Sequence, residues 1–118
     1  KIGGIAYVGV KNSCHFGAAG YYSNLAAKEG LIGISMSNAD PVIAVPNSRV
    51  KNIGSNPMSF AASLPDGKIA LSNDDGANKS PASASLQPMA AHKGYGFAVL
   101  VELFSAVIPG TGMLRSSF

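Results

Sequence analysis

The chain has no tryptophan and one cysteine, Cys14, so no internal disulfide is possible and nothing points to a disulfide-stapled scaffold. Charge is scarce. Only 13% of residues are charged, and nine basic against six acidic residues leave a net +3. No Lys or Arg run forms a stripe and no aromatics alternate with bases, which argues against nucleic acid as a partner. The longest apolar run, Phe97 to Ile108, is broken by Glu102 and is shorter than a bilayer requires, so no membrane partner is expected. The opening Lys1-Ile-Gly-Gly-Ile-Ala6 lacks a signal-peptide layout, and a cytoplasmic location is the expectation. Two histidines, one cysteine and scattered carboxylates give no metal-ligand spacing, so no metal is expected.

What is present suggests an α/β arrangement. At 118 residues the chain is one domain at most, or part of one. Ile5 to Val10 is β-rich and apolar, as a buried strand would be. The periodicity of Ala18 to Glu29 predicts a helix whose apolar stripe is Ala18, Tyr22, Leu25 and Ala26. Gly30 follows where a helix end favours a left-handed residue. Leu31 to Met36 predicts a second buried strand, and strand–helix–strand in succession predicts layered packing. Ser37 to Pro57 is dense in Asn, Ser, Gly and Pro, the composition of tight turns. Met58 to Ala62 predicts a further short strand. Residues 63–91 lack periodicity and predict a loop or a deletion junction. After Gly94-Tyr-Gly96, the residues Phe97, Leu100, Val101, Phe104 and Ile108 share one helix face. The other face is also mostly apolar, so this helix is expected to be buried nearly all round or packed on another subunit. Pro109-Gly110 ends it.

Three constellations could carry chemistry. His15 stands between the first predicted strand and helix, beside Gly17 and Gly20, where an imidazole can give or take a proton near neutral pH, as carbonyl–alcohol interconversion needs, or can simply be a histidine hydrogen-bonded to backbone. The neighbouring Cys14 makes a poor thiol–imidazole pair, because adjacent extended residues point to opposite faces; it is expected to be a small packed hydrophobe. His92-Lys93-Gly94-Tyr95-Gly96 sets a cation and an imidazole just before the predicted helix, a plausible anion site. Ser37-Asn38-Ala39-Asp40-Pro41 and Gly54-Ser55-Asn56-Pro57 offer short polar groups on turns, which could meet a ligand or simply satisfy their own backbone. The dinucleotide and mononucleotide glycine fingerprints are absent.

Taken together, four segments resemble the malate/L-lactate dehydrogenase family of NAD(P)-dependent 2-oxo acid reductases, which binds nicotinamide on a fold of its own. They are Asn12-Ser-Cys-His-Phe-Gly-Ala-Ala-Gly-Tyr-Tyr22, Gly30-Leu-Ile-Gly-Ile-Ser-Met-Ser-Asn38, Gly54-Ser-Asn-Pro57 and His92-Lys-Gly-Tyr-Gly-Phe-Ala-Val-Leu-Val-Glu-Leu103, in the family's order. The resemblance implies a non-Rossmann α/β core, a mixed sheet with packed helices, holding NAD or NADP. It implies a hydride passed between that cofactor and a 2-oxo acid/2-hydroxy acid pair such as malate, lactate or ureidoglycolate. It places His15 at the nicotinamide and substrate carbonyl. Asn38, Ala39 and Asp40 would line the cofactor pocket, Asn56 and Pro57 would shape its floor, and His92 and Lys93 would contact the cofactor, the lysine facing a phosphate. A homodimer is implied as well.

The chain also departs from the family pattern. The Ser-His-Gly segment, whose histidine is often the proton donor, and the Asp-Met-Ala-Thr segment expected after Ala62 are absent. Ala70 to Gly76 resembles a segment normally well downstream. Two family glycine pairs read Asn47-Ser48 and Ala90-Ala91, and the sequence stops soon after the last helix. Residues 1–118 are thus expected to be a partial NAD(P)-binding and catalytic domain. The alternatives are an inactive fragment retaining the dimerisation and cofactor-binding core, and a general anion-binding module built on Lys93.

Overall fold

The structure is a computed structural model and describes residues 3–44, 49–74, 77–78, 87–88 and 92–110. Helix α1 spans Ala19–Lys28 and strand β1 Gly33–Met36; β2 is Ile43–Ala44, β3 Lys51–Ile53, β4 Met58–Ser63 and β5 Ile69–Asp74. Two-residue strands follow at β6, Ala77–Asn78, and β7, Gln87–Pro88. Helix α2, His92–Glu102, runs into one π-helical stretch, Leu103–Val107.

The largest sheet has the order β1-β4-β5, with antiparallel ladders throughout. The β4–β5 connection is a tight turn in which Gly67 takes φ +81° and donates to the Leu64 carbonyl at 3.0 Å. Leu64-Pro-Asp-Gly67 supplies the residues such a turn wants: Pro at the second position, Asp at the third and a left-handed glycine after it. The loop expected over 63–91 therefore carries strand β5, because that turn folds the chain straight back onto β4. Between Asp74 and His92 only β6 and β7 are described, so the rest of that stretch, like Asn47-Ser48, Ala90-Ala91 and the tail 111–118, lies outside the described residues.

Helix α1 lies on this sheet and ends as expected. Gly30, φ +73°, donates to the Ala27 carbonyl, and Leu31 donates to that of Ala26, the paired bonds of a left-handed helix cap. The stripe that meets the sheet is not the expected one. Gly20, Ser23 and Ala27 are buried, while Tyr22 and Leu25 face outward. The reason is distance: a Cβ on Gly33 would lie 2.1 Å from the Ser23 carbonyl oxygen, so only small residues fit between helix and strand. Short hydroxyl bonds fasten the contact. Ser23 Oγ and Ser59 Oγ are 2.8 Å apart, Ser35 Oγ donates to the Ala19 carbonyl at 2.5 Å, and Ser63 Oγ donates to that of Ala27.

The second unit sets the β2–β3 hairpin against α2. Ile43, Ile53 and Ala98 form its buried cluster, with Val42 and Tyr95 packed on it. That hairpin falls in the stretch expected to be turns alone. Two other expectations need correcting. Ile5 to Val10 forms no strand: Ile5 is 93% and Val8 84% exposed, since an apolar run becomes a strand only when another strand pairs with it. Tyr7 instead crosses the π-helical stretch, its hydroxyl donating to the Phe104 carbonyl at 2.6 Å. Helix α2 begins at His92 and not after Gly96. It buries Gly94, Ala98, Val101 and Glu102, leaving Phe97, Leu100, Phe104 and Ile108 outward, because the hairpin approaches through its small-residue side. Within this chain it is not buried all round.

Candidate functional site

His15 sits on the exposed loop that enters α1, where Asn12 at φ 56° and Gly17 at φ +80° turn the backbone. The bend brings the Gly17 N–H to His15 Nδ1 at 3.0 Å, leaving Nε2 directed away from that contact. The loop is tied to α1 by aromatics. Phe16 stacks on Tyr22 with ring centroids 5.4 Å apart and planes 4° from parallel, and the Tyr22 hydroxyl donates to the Phe16 carbonyl at 2.9 Å. Tyr21 meets Tyr22 edge-on at 5.3 Å. Cys14 is free and exposed, not packed, because it lies on the open side of this loop.

The second group gathers where β1 ends and β4 begins. The Ser37 N–H donates to the Pro57 carbonyl at 3.1 Å, which places Asn38 and Ala39 beside Asn56 and Pro57. Asn56 is only 1% exposed and adopts φ 46°, a left-handed conformation that Asn tolerates better than most residues. Its Oδ1 accepts the Ala39 N–H at 3.1 Å, and its Nδ2 donates to the Ala98 carbonyl at 2.8 Å and to Glu102 Oε2 at 3.1 Å. Both amide protons are thereby used inside the protein. Asn56 acts as a bracket that joins the β1 exit to helix α2. Asn38, Ala39 and Pro57 are half-buried and Asp40 is exposed on the same segment.

His92 and Lys93 are exposed in the first turn of α2, one step further into helix than the sequence suggested. No acidic residue stands in that turn. The bracket at Asn56 thus connects, through one helix, the Asn38–Asp40 segment with His92 and Lys93. His15 belongs to the other unit, and its hydrogen bond stays within its own loop. Among the described residues no three His, Cys, Asp or Glu side chains gather as a metal site would need.

Two positions that build this arrangement escape a reading of the sequence. Glu102 reads only as an interruption of an apolar run, although a lone carboxylate in such a run is itself a sign of a buried partner. Gly54 reads as a turn residue, yet a Cβ there would meet the Ala39 carbonyl oxygen at 2.2 Å and Asn56 Oδ1 at 2.6 Å. It is the close approach that makes the bracket possible.

Residues 1–74 match the family model described as malate/L-lactate dehydrogenase. The malate dehydrogenase of Pyrococcus abyssi is 30% identical over 146 residues, covering 91% of this chain and 40% of that protein. The L-sulfolactate dehydrogenase of Methanocaldococcus jannaschii is 32% identical over 135 residues, covering 88% and 39%. Among solved structures, malate dehydrogenase from Pyrococcus horikoshii superposes with a TM-score of 0.78 at 30% identity, over 87% of this chain and 38% of that one. The chain therefore spans about two fifths of the length of these relatives. Both sequence alignments run longer than the 118 residues here, so stretches of the relatives have no counterpart in it.

Proposed function

The chain belongs to the malate/L-lactate dehydrogenase family, and from that premise we propose that it is part of an oxidoreductase that interconverts a 2-oxo acid and a 2-hydroxy acid with NAD or NADP. The observation that carries the proposal is the His15 loop. An imidazole is held on one nitrogen by the backbone, with its other nitrogen available to a substrate oxygen.

The residues present suit the cofactor. A helix start without acidic residues, bearing Lys93 and His92, offers backbone N–H groups and a cation to a phosphate. Asn38, Ala39 and Asp40 would flank the dinucleotide, and the bracket made by Asn56, beside Pro57, would fix that wall against α2. When bound, the nicotinamide supplies or accepts the hydride. His15 Nε2 engages the carbonyl or hydroxyl oxygen, and the peptide around it keeps the ring in place. We propose a cytoplasmic homodimer as the working form. A deletion junction within 63–91 is part of the same proposal; alignments longer than this chain fit a missing stretch without locating it.

Fluorescence titration with NADH and with NADPH tests this directly, because a chain without tryptophan contributes little background. Saturable binding that weakens at least tenfold in Lys93→Ala is the expected result. In 2-oxo acid reduction, His15→Ala should lower turnover by orders of magnitude with cofactor affinity kept. No binding at millimolar cofactor would leave the inactive-fragment reading, and phosphate binding without nicotinamide preference would leave the anion module.

A further inference from the structure

We infer that Glu102 is a positioning residue for the proposed cofactor wall: it fixes the direction of the Asn56 carboxamide, and the carboxamide fixes the Asn38–Asp40 segment; this rests on the dehydrogenase reading above. Glu102 closes helix α2 and is only 7% exposed. A carboxyl group at that depth needs a hydrogen-bond partner. It has one in Asn56, whose Nδ2 donates to Glu102 Oε2 at 3.1 Å. Glu102 thus acts on the site through Asn56 and not by touching a ligand.

A carboxamide can sit in either of two senses, with oxygen and nitrogen exchanged. Only one agrees with what surrounds Asn56. Its Oδ1 faces a donor, the Ala39 N–H, and its Nδ2 faces two acceptors, the Ala98 carbonyl at 2.8 Å and Glu102 Oε2. Exchanged, the group would set N–H against N–H and oxygen against oxygen. Ala98 and Glu102 lie one helical turn apart on the same face of α2, so the helix itself holds both acceptors in place. The Ala98 carbonyl engages one amide hydrogen. Glu102 engages the other, which leaves the side chain no free hydrogen and no second sense.

The wall inherits that direction. The Ala39 N–H meets Oδ1 at 3.1 Å, and the same two groups close on Gly54, where a Cβ would come 2.6 Å from Oδ1 and 2.2 Å from the Ala39 carbonyl oxygen. The amide oxygen and Ala39 therefore share a slot with little room to shift. The Asn56 backbone is fixed as well, at φ 46° and 1% exposure, so the turning of its side chain is the freedom that remains, and Glu102 removes it. Contacts thus run from Glu102 through Asn56 to the segment that would flank the dinucleotide. Lys93 stands at the other end of α2, nine residues from Glu102 or about 14 Å along the axis, so one helix spaces the phosphate contact from the wall.

The test follows the side-chain NH2 pair of Asn56 in the whole chain labelled with 15N; Asn56→Asp identifies the pair by removing it. In the wild type both hydrogens should exchange with water at least tenfold more slowly than those of the exposed Asn12 and Asn52. Glu102→Gln keeps an acceptor at that point and should keep the slow exchange, with NADH affinity within about twofold of wild type. Glu102→Leu, similar in size and without an acceptor, should release one hydrogen of the pair, speed exchange of the Ala39 N–H and weaken NADH at least fivefold. Wild-type exchange as fast as at Asn12 overturns the proposal. So does fast exchange in Glu102→Gln, which would make the charge and not the acceptor the thing supplied. Those two results decide the matter even where Glu102→Leu fails to fold. Faster exchange in Glu102→Leu with NADH affinity unchanged would overturn the positioning role and leave the dehydrogenase reading standing. The same faster exchange in a protein whose wild type binds no nicotinamide would cost that reading, and the wall with it, and leave the hold of Glu102 on Asn56 standing.

Discussion

The two packed units of this molecule hold their helices by different means. Helix α1 is fastened to its sheet by hydroxyls and by the closeness of backbone to backbone: Ser23 to Ser59, Ser35 to Ala19, Ser63 to Ala27, and Gly33 beneath the Ser23 carbonyl. Helix α2 meets its hairpin through the apolar cluster of Ile43, Ile53 and Ala98 and through one buried carboxamide, Asn56, that reaches Ala39, Ala98 and Glu102. In the first unit the attachment is spread over several weak bonds. In the second it is concentrated at one side chain. Both helices turn their large residues outward, and the outcome differs there too: around α1 the aromatics Phe16, Tyr21 and Tyr22 satisfy one another, while on α2 Phe97 and Leu100 stay apolar and exposed, and only Phe104, on the π-helical stretch, meets an aromatic, Tyr7, among the described residues. Small residues therefore decide where each helix sits, and the loop that presents His15 is built on the self-contained one.

The largest effect should come from breaking the close approach in the first unit. Gly33→Ala puts a methyl 2.1 Å from a backbone oxygen that no rotamer change can move, so helix and strand must separate. Overpacking of this kind costs about 3 kcal/mol or more, a large part of the stability of a domain this size. Thermal unfolding followed by circular dichroism should show loss of the cooperative transition; an unchanged midpoint would mean that the α1 contact is looser than the Gly33 geometry implies.

The concentrated attachment ranks next. Asn56→Ala removes partners from a buried carboxylate, a carbonyl and an N–H, and places Ala at φ 46°, for a cost of about 3 kcal/mol. Asn56→Gly relieves the backbone and should recover about 1 kcal/mol of that, the remainder belonging to the hydrogen bonds. Full recovery in the glycine variant would show that conformation, and not the bracket, is what Asn56 supplies. In the distributed unit a single polar deletion should matter less. Ser23→Ala removes one of several hydroxyl bonds and should cost about 1 kcal/mol in chemical denaturation. A loss as large as that of Asn56→Ala would erase the contrast between the units.

How much of this the sequence disclosed follows the same division. Helix α1, its glycine stop, and strands β1 and β4 were legible because local periodicity and capping chemistry speak for themselves. The family pattern, too, was legible in the ordered segments around His15, Gly54 and His92. The buried face of α1 was not, because a hydropathy count ranks Tyr22 and Leu25 above Ser23 and cannot know that Gly33 will bring a strand within reach of Ser23's carbonyl. Ile5 to Val10 misled for a related reason: strand character depends on a partner, and apolar composition does not name one. Strand β5 was available in Leu64-Pro-Asp-Gly67, a hairpin turn masked by the polar, aperiodic residues on its C-terminal side. Of the site, residue identities could be read, and their grouping could not. Asn56 read as a pocket floor; its buried bonds to Ala98 and Glu102, forty-two and forty-six residues away, come only from the fold.

The smallest expected effect is the one that bears on what the outward face of α2 is for. Phe97 is 49% exposed. Truncating it to Ala forfeits roughly 1 kcal/mol of partial burial and regains about 0.5 kcal/mol of helix propensity, so the net change should stay near 0.5 kcal/mol. That figure holds only for a chain that unfolds by itself. If two copies meet across Phe97, Leu100 and Phe104, then the midpoint of the wild type will rise with protein concentration and that of Phe97→Ala will not. Denaturation at two concentrations a hundredfold apart, with sedimentation of both proteins, separates the cases. A concentration-independent midpoint and a half-kilocalorie loss would make the α2 face idle in this chain. A concentration-dependent midpoint abolished by the substitution would make it the dimer contact, and the self-contained aromatics of α1 and the open ones of α2 would then divide the labour between holding a site and holding a partner.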